Sequence, residues 1–258
     1  MRTLFLLLTL IFSQHIIYAQ IQSGEIIYKI KKLKGFEEPS HSKPENQAEQ
    51  MAQAQLSQIR KQTKQALPYL EFKLEFNKNE ALFKHRKSMD TDAGGNIDYA
   101  ISFMSGKGVF YTNIEEDIVL NQKGFFNKLL LIESEISEID WELKDEFQTI
   151  AGYECQKAIT TINISPKHPD VDIPVWFAKE LPFSFGPIGK SGLPGLILGL
   201  ERNGYMYYPE EINLSEKELK INPPKKGKRL TEEELRVYAK EISKNPLEAA
   251  KILEGEEK

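Results

Sequence analysis

The sequence is poor in the residue types that build disulfide-linked or metal-centred proteins. Of its 258 residues, one is cysteine and four are histidine. A lone Cys155 cannot form an internal disulfide, and the sequence has no C-x-x-C or H-x-x-x-H pair. No metal or other cofactor is therefore predicted. Cys155 lies in a strand-like run, which favours a small buried apolar side chain over a reactive thiol.

A large charge excess and long apolar runs are also lacking. The formal net charge is −4, without the basic stripe of a nucleic-acid-binding protein, so no nucleic-acid partner is predicted. One apolar run, Leu4 to Phe12, follows Arg2 and precedes the small residue Ala19, which predicts a signal peptide over residues 1–19. Because a bilayer span needs about 20 apolar residues, we predict an exported protein without a transmembrane span in its mature chain. The scarcity of cysteine favours a bacterial periplasmic or outer-membrane-associated location.

Short strand-like runs dominate residues 20–222. In the run 70–76, apolar Leu70, Phe72, Leu74 and Phe76 alternate with charged residues, which is typical of a half-buried antiparallel strand. The even spacing of such runs predicts a mainly β domain whose antiparallel sheet curls into a barrel, half-barrel or sandwich. The predicted strands are 25–31, 69–76, 80–84, 97–103, 108–113, 117–122, 125–133, 141–147, 153–164, 173–179, 196–202 and 205–214.

One inserted helix is predicted at about 43–67. Ser42 and Glu45 form a capping box, and Pro68 ends the helix. Its apolar stripe is thin, so we expect it to lie over the sheet or an opening, or to be a mobile insertion. The stripe comprises Ala48, Ala52, Leu56, Ile59, Thr63 and Ala66.

Residues 223–258 are predicted to be a C-terminal appendage. A basic linker, 223–229, precedes a helix that Thr231 and Glu234 cap, and Asn245-Pro246 begins another. The basic cluster is interpreted as a solvated linker, with contact to anionic lipid as the alternative.

No catalytic motif is complete. The run 184–191 falls short of a phosphate-binding loop, because Ser184 stands where glycine is needed and Pro187 removes a backbone N–H. No nucleophile elbow occurs. No catalytic residue is therefore assigned.

Glycine and proline concentrate in residues 182–195, the Gly/Pro loop, where they make up seven of fourteen residues. Glycine permits positive φ and proline fixes φ near about −65°, so the backbone shape is tightly specified. Aromatic residues flank the loop, and such residues line apolar pockets or fill β cores. We predict that the loop forms the rim of an apolar cleft. The predicted binding residues are Trp176, Phe177, Pro182, Gly186, Pro187, Gly192, Leu193, Pro194, Gly195 and Leu196.

The loop also contains the run Gly-Leu-Pro-Gly-Leu-Ile at 192–197. With Val-Trp-Phe-Ala at 175–178 and Gly-Pro at 186–187, the chain resembles the GLPGLI family over roughly residues 21–214. It departs from that pattern at Glu180-Leu181 and at Gly199. The resemblance implies an exported protein of the Bacteroidetes group with no established activity, often encoded near TonB-dependent receptors. By analogy, it also implies a curved sheet like that of periplasmic lipoprotein carriers.

Three functions are carried forward as hypotheses. The first is a non-catalytic binding or carrier protein of the bacterial envelope with an apolar ligand. The second is an accessory interaction module for a TonB-dependent outer-membrane transporter, docking through the Gly/Pro loop and the tail. The third, a hydrolase, would require acidic groups or His41, His85 and His168 to converge in one pocket.

Overall fold

A computed structural model describes residues 21–37, 46–87, 96–125, 128–163 and 170–244, with side chains through residue 240. Within these residues twelve strands form one open, curved sheet, so the prediction of a mainly β protein with a curved antiparallel sheet is confirmed. The predicted signal peptide lies outside the described residues. The strands are β1 (Ser23–Lys32), β2 (Glu71–Phe76), β3 (Glu80–Arg86), β4 (Val109–Asn113), β5 (Ile118–Phe125), β6 (Lys128–Glu135), β7 (Glu142–Ile150), β8 (Tyr153–Ile162), β9 (Val171–Ala178), β10 (Leu196–Arg202), β11 (Tyr205–Ser215) and β12 (Lys228–Thr231).

The strand order is β12-β6-β5-β4-β3-β2-β1-β11-β10-β9-β8-β7. Hairpins build both halves of the sheet, and β1 joins the halves by pairing with β2 on one side and β11 on the other. All pairs are antiparallel except β12 with β6. The break predicted between the strands 117–122 and 125–133 is wrong, because Lys123 and Gly124 belong to β5, which pairs with β6 as far as Phe125 and Lys128.

Aromatic side chains of the central strands fill the core on the inner face of the sheet. Phe72 stacks on Phe83 at 5.4 Å, and the Tyr207 ring meets Phe72 edge-on at 5.1 Å. The strict alternation predicted for β2 is confirmed, since its apolar side chains are buried and its charged ones are not. Buried hydroxyls must find partners. Tyr28 accordingly donates to the Ile197 carbonyl at 2.7 Å, which fixes β10 over the core.

The inserted helix, α1 (Gln47–Ala66), starts later than predicted. Asn46 is its N-cap, accepting a hydrogen bond from the Glu49 amide at 2.9 Å, while the predicted cap at Ser42 and Glu45 lies outside the described residues. An asparagine at this position satisfies an amide that the first helical turn leaves free. Of the predicted apolar stripe, only Thr63 and Ala66 are buried, so the helix lies on the fold through its C-terminal end.

A second helix, α2 (Ile97–Phe103), stands where the sequence analysis predicts a strand, and that prediction is wrong. Asn96 caps it, and Ala100 and Ile101 are buried. With Met104, which is also buried, these apolar residues follow a helical spacing that the β-branched residues of the segment obscured. Strand β4 pairs with β3 and β5 instead.

The tail contributes a strand to the sheet, which the sequence does not predict. Residues 228–231, which overlap the predicted basic linker, form β12 beside β6, because Leu230 buries its side chain against Leu130 and Ile132. The capping box is confirmed, since the Thr231 amide donates to Glu234 at 2.8 Å and begins α3 (Glu232–Lys244). The second predicted tail helix lies outside the described residues.

Candidate functional site

The Gly/Pro loop crosses the inner face of the sheet. Its 3₁₀ turn, Pro187–Gly189, packs against β3, β4 and β5, which lie far along the sheet from the strands that the loop connects. A side chain at position 189 would meet Val119 at 2.7 Å, so only glycine fits there. The loop also bonds internally, with the Gly192 amide donating to the Ser184 carbonyl at 3.2 Å. The tightly specified backbone of the loop therefore packs on the concave face of the sheet and forms a plug there.

Ile188 holds a strained backbone at the tip of this plug. Its φ is +50°, in the left-handed region, where a β-branched residue is an outlier. Such a conformation costs about 1–2 kcal/mol. Packing of its side chain against the main core offsets that cost. Strain of this kind is common at functional sites, and nothing in the sequence signals it.

The predicted binding residues lie together, but most of them are packed inward. Phe177, Leu193 and Leu196 are at most 2% exposed and belong to the main core. Trp176 donates its indole N–H to Glu201 at 2.9 Å, and the ammonium of Lys157 lies 5.6 Å from its ring centre. A ligand-binding role for these residues stays a prediction. Of the remaining residues, Gly186, Pro187 and Gly195 are buried, and Pro182, Gly192 and Pro194 are exposed.

An apolar groove of about 610 Å³ lies where α1 and α2 meet the β10–β11 turn. The Gly/Pro loop contributes no residue to this groove, and the cleft rim predicted for the loop stays a prediction. Three of its lining residues lie on α2, where the sequence pattern predicts a strand, and the helical spacing of Ile97, Ala100, Ile101 and Met104 is the signal that could have identified this helix. The groove is lined by Phe36, Ile59, Arg60, Thr63, Lys64, Tyr99, Ser102, Phe103, Asn203 and Tyr205.

Short-range contacts hold the groove open in one shape. The rings of Phe103 and Tyr205 meet edge-on at 5.9 Å, and the Asn203 amide donates to the Phe103 carbonyl at 2.5 Å. Gly204 has φ +80°, and the Phe36 ring occupies the space that a side chain there would need. The Gly204 carbonyl accepts a hydrogen bond from the Leu33 amide at 2.9 Å. The β10–β11 turn therefore anchors both the α2 wall and the Phe36 wall.

A second concavity, the polar cavity, has a volume of about 560 Å³. It lies between β4–β6, the end of β8, the tip of the Gly/Pro loop and α3. Lys123 and Lys190 line it, and burial lowers the pKa of both ammonium groups, while the charge of Glu232 partly opposes that shift. Other polar side chains that line it are Asn121, Ser134, Thr160, Thr161 and Asn163.

Among the residues that the structure describes, the groups that could carry out chemistry do not converge. Burial raises the pKa of the Cys155 thiol to about 12, which keeps it protonated at neutral pH and confirms its prediction as a buried side chain. His85 packs edge-on against Phe72 at 5.5 Å, while His41 and His168 lie outside the described residues. Among the described residues, no three His, Cys, Asp or Glu side chains are placed to hold a metal ion.

No described helix has the length and hydrophobicity needed to cross a membrane.

Comparison with known proteins gives one partial family match. Residues 127–228, less than half of the chain, match the model "N-glycanase peptide, N-terminal domain". Two crystal forms of PNGF-II, in space groups C2 and P21, align with a TM-score of 0.47 at 15% and 16% identity. Each alignment covers 84% of this chain and 32% of the other, so the chain spans about a third of the length of these structures. No curated protein matches the chain. The resemblance to the GLPGLI family stays a prediction, because these matches do not bear on it.

Proposed function

We propose that the protein is an exported, non-catalytic binding protein of the bacterial envelope, and that the apolar groove takes the chain of an anionic amphiphile such as a fatty acid. The observation that carries this proposal is an open groove with an aromatic wall, while the described residues bring no catalytic set together. Tyr99 and Phe103 are 54% and 36% exposed, which is unusual for large apolar side chains in one groove. The signal peptide predicted at 1–19 supports the export part of the proposal.

The charges of the groove select an anionic head group. Among the described residues, the ionisable groups that line it, apart from tyrosine, are Arg60 and Lys64, both on α1. Both side chains are exposed, so each pairing with a carboxylate contributes about 0–1 kcal/mol. Burial of eight methylenes contributes about 6 kcal/mol before the costs of association. The apolar chain therefore sets the affinity, and the basic residues set the orientation.

Displacement of a fluorescent fatty acid by decanoate tests the proposal. We expect octanoate to bind about 15-fold more weakly, since two methylenes are worth about 1.6 kcal/mol. Phe103→Ser should weaken decanoate binding about tenfold, because it removes part of the aromatic wall. Phe147→Ser is the matched control, because Phe147 is 53% exposed on β7 and does not line the groove.

Two results would reject this function. One is the absence of decanoate binding to the wild-type protein. The other is equal decanoate affinity in the Phe103 and Phe147 variants, which would place any binding elsewhere.

The partial family match favours a second candidate, a role directed at N-glycans. The matched model describes an N-terminal domain of an N-glycanase, and the match begins at residue 127. A glycoprotein with one N-glycan and its unglycosylated form provide the test. Retention or cleavage of the glycosylated form alone would support this role, and equal behaviour of the two forms would exclude it.

A further inference from the structure

The polar cavity holds cationic groups that the proposed fatty-acid site does not use. Lys123 lies on β5, and Lys190 follows the strained tip of the Gly/Pro loop. Both are half-buried, and among the described residues neither ammonium forms an ion pair. Burying a charge without a partner is costly, so an unpaired pair of lysines at one cavity needs a compensating group.

A third cation lies near them. Arg202, at the end of β10, is close enough that its charge contributes to lowering the pKa of Lys190. Its buried Nε and Nη1 atoms find no hydrogen-bond partner in the described part of the chain. Orphaned guanidinium donors are rare in folded proteins, because each loses its hydration without replacement. Arg202 does not itself line the cavity, but its charge adds to the positive potential at Lys190.

The carboxylates of the cavity lie at its rim. Glu135, Glu138 and Glu232 line the opening, and all three are exposed to solvent. Arg236 also lines the rim, where it donates to the Asn163 carbonyl at 3.3 Å and so holds α3 beside β8. Exposed charges are screened by water, whereas half-buried ones are screened less. The deeper part of the cavity is therefore positive even though its rim is mixed.

We propose that the polar cavity binds a small hydroxylated organic anion, with its carboxylate paired to Lys190 and Lys123. The hydroxyl and amide groups of Thr160, Asn163 and Ser134 are suited to the hydroxyls of such a ligand. The volume of about 560 Å³ falls within the range of small-molecule sites. The apolar groove and the polar cavity share none of the lining residues that the structure describes, so this site is separate from the proposed fatty-acid site.

Calorimetric titration of the full chain at pH 7 with D-glucuronate tests the site, with D-glucose as the neutral probe and inorganic phosphate as the bare anion. We expect glucuronate to bind and both other probes to bind at least tenfold more weakly. Lys190→Met should weaken glucuronate binding at least tenfold. Lys78→Met is the control, because Lys78 is exposed in the β2–β3 turn and should leave the affinity unchanged.

A misfolded variant would be recognised from its melting temperature. Because burial lowers the pKa of Lys190, replacing it removes a desolvation cost, and the methionine variant should melt at or above the wild-type temperature at pH 7. Equal glucuronate affinity in this folded variant and the wild type would overturn the proposal, as would equal binding of glucose. Binding of phosphate as tight as that of glucuronate would overturn the role of the hydroxyl groups. Decanoate binding tests the apolar groove separately, so the two proposals fail independently.

Discussion

Gly192 and Gly195 are required for two different physical reasons. Gly192 has φ +90°, a conformation that side chains disfavour. Gly195 has an ordinary φ, but a side chain there would lie 2.3 Å from the Ala178 carbonyl oxygen. The sequence predicts that both glycines matter and cannot distinguish these reasons, because the close approach of the backbone exists only after the loop folds onto β9.

We expect Gly195→Ala to lower the free energy of unfolding by about 1–3 kcal/mol, since the backbone must move to admit the methyl group. Gly192→Ala should cost about 1 kcal/mol. Gly124→Ala is the control, because nothing lies within 4 Å of the added methyl group. Urea unfolding measures all three variants, and wild-type stability of Gly195→Ala would contradict the observed approach.

Cys155 should resist alkylation. With its pKa raised to about 12 by burial, the thiolate fraction at pH 8 is on the order of 10⁻⁴, and the side chain is 0% exposed. Iodoacetamide at pH 8 should therefore leave the native protein unmodified and label it fully in urea, as mass spectrometry would show. Labelling of the native protein at the rate of a free thiol peptide would contradict the buried placement.

At the scale of elements, the regular strands are predicted correctly, whereas the short helix α2 and the charged strand β12 are not. Strand β10 begins and ends at the predicted residues, because Gly195 precedes its apolar run and Asn203-Gly204 follows it. Helix α2 is missed, because its β-branched residues favour a strand while its helical spacing spans only two turns. Strand β12 is missed because its charged residues read as a linker, and only pairing with β6 makes them a strand.

Strand β12 protects the edge of the sheet, and Leu230 fixes it there. Leu230 is 9% exposed and packs on Leu130 and Ile132. We expect Leu230→Asp to lower the free energy of unfolding by about 2–4 kcal/mol, because it buries a carboxylate without a partner. The exposed edge of β6 should also promote aggregation, which light scattering would detect.

Val237→Asp is the matched control for that change. Val237 is 50% exposed on α3, so the substitution should alter stability by no more than about 0.5 kcal/mol. If the Leu230 and Val237 variants were equally stable, β12 would not be part of the stable sheet.

For the whole molecule, the sequence predicts the class of fold but not the position of its sites. Alternation in single strands, such as β2, requires one buried face, and a series of such strands requires a sheet. The path of the Gly/Pro loop depends on contacts with β3–β5, which are distant in sequence. The burial of Lys190 depends on the same contacts, because a lysine between glycine and serine reads as an exposed loop residue. Sequence patterns therefore predict that the loop has a specified backbone shape, but not which strands it packs against.

The two cavities should bind their ligands independently. In the described part of the chain they share no lining residue, and one continuous sheet carries both. Coupling between sites needs an element with two arrangements whose balance both ligands shift. We therefore expect saturating glucuronate to change the decanoate dissociation constant by less than about twofold, and the reverse, as calorimetry would measure. A tenfold change corresponds to about 1.4 kcal/mol of coupling and would show that the sheet or the Gly/Pro loop adopts a second arrangement. Ile188, with its left-handed backbone, would then be the first residue to examine for that second arrangement.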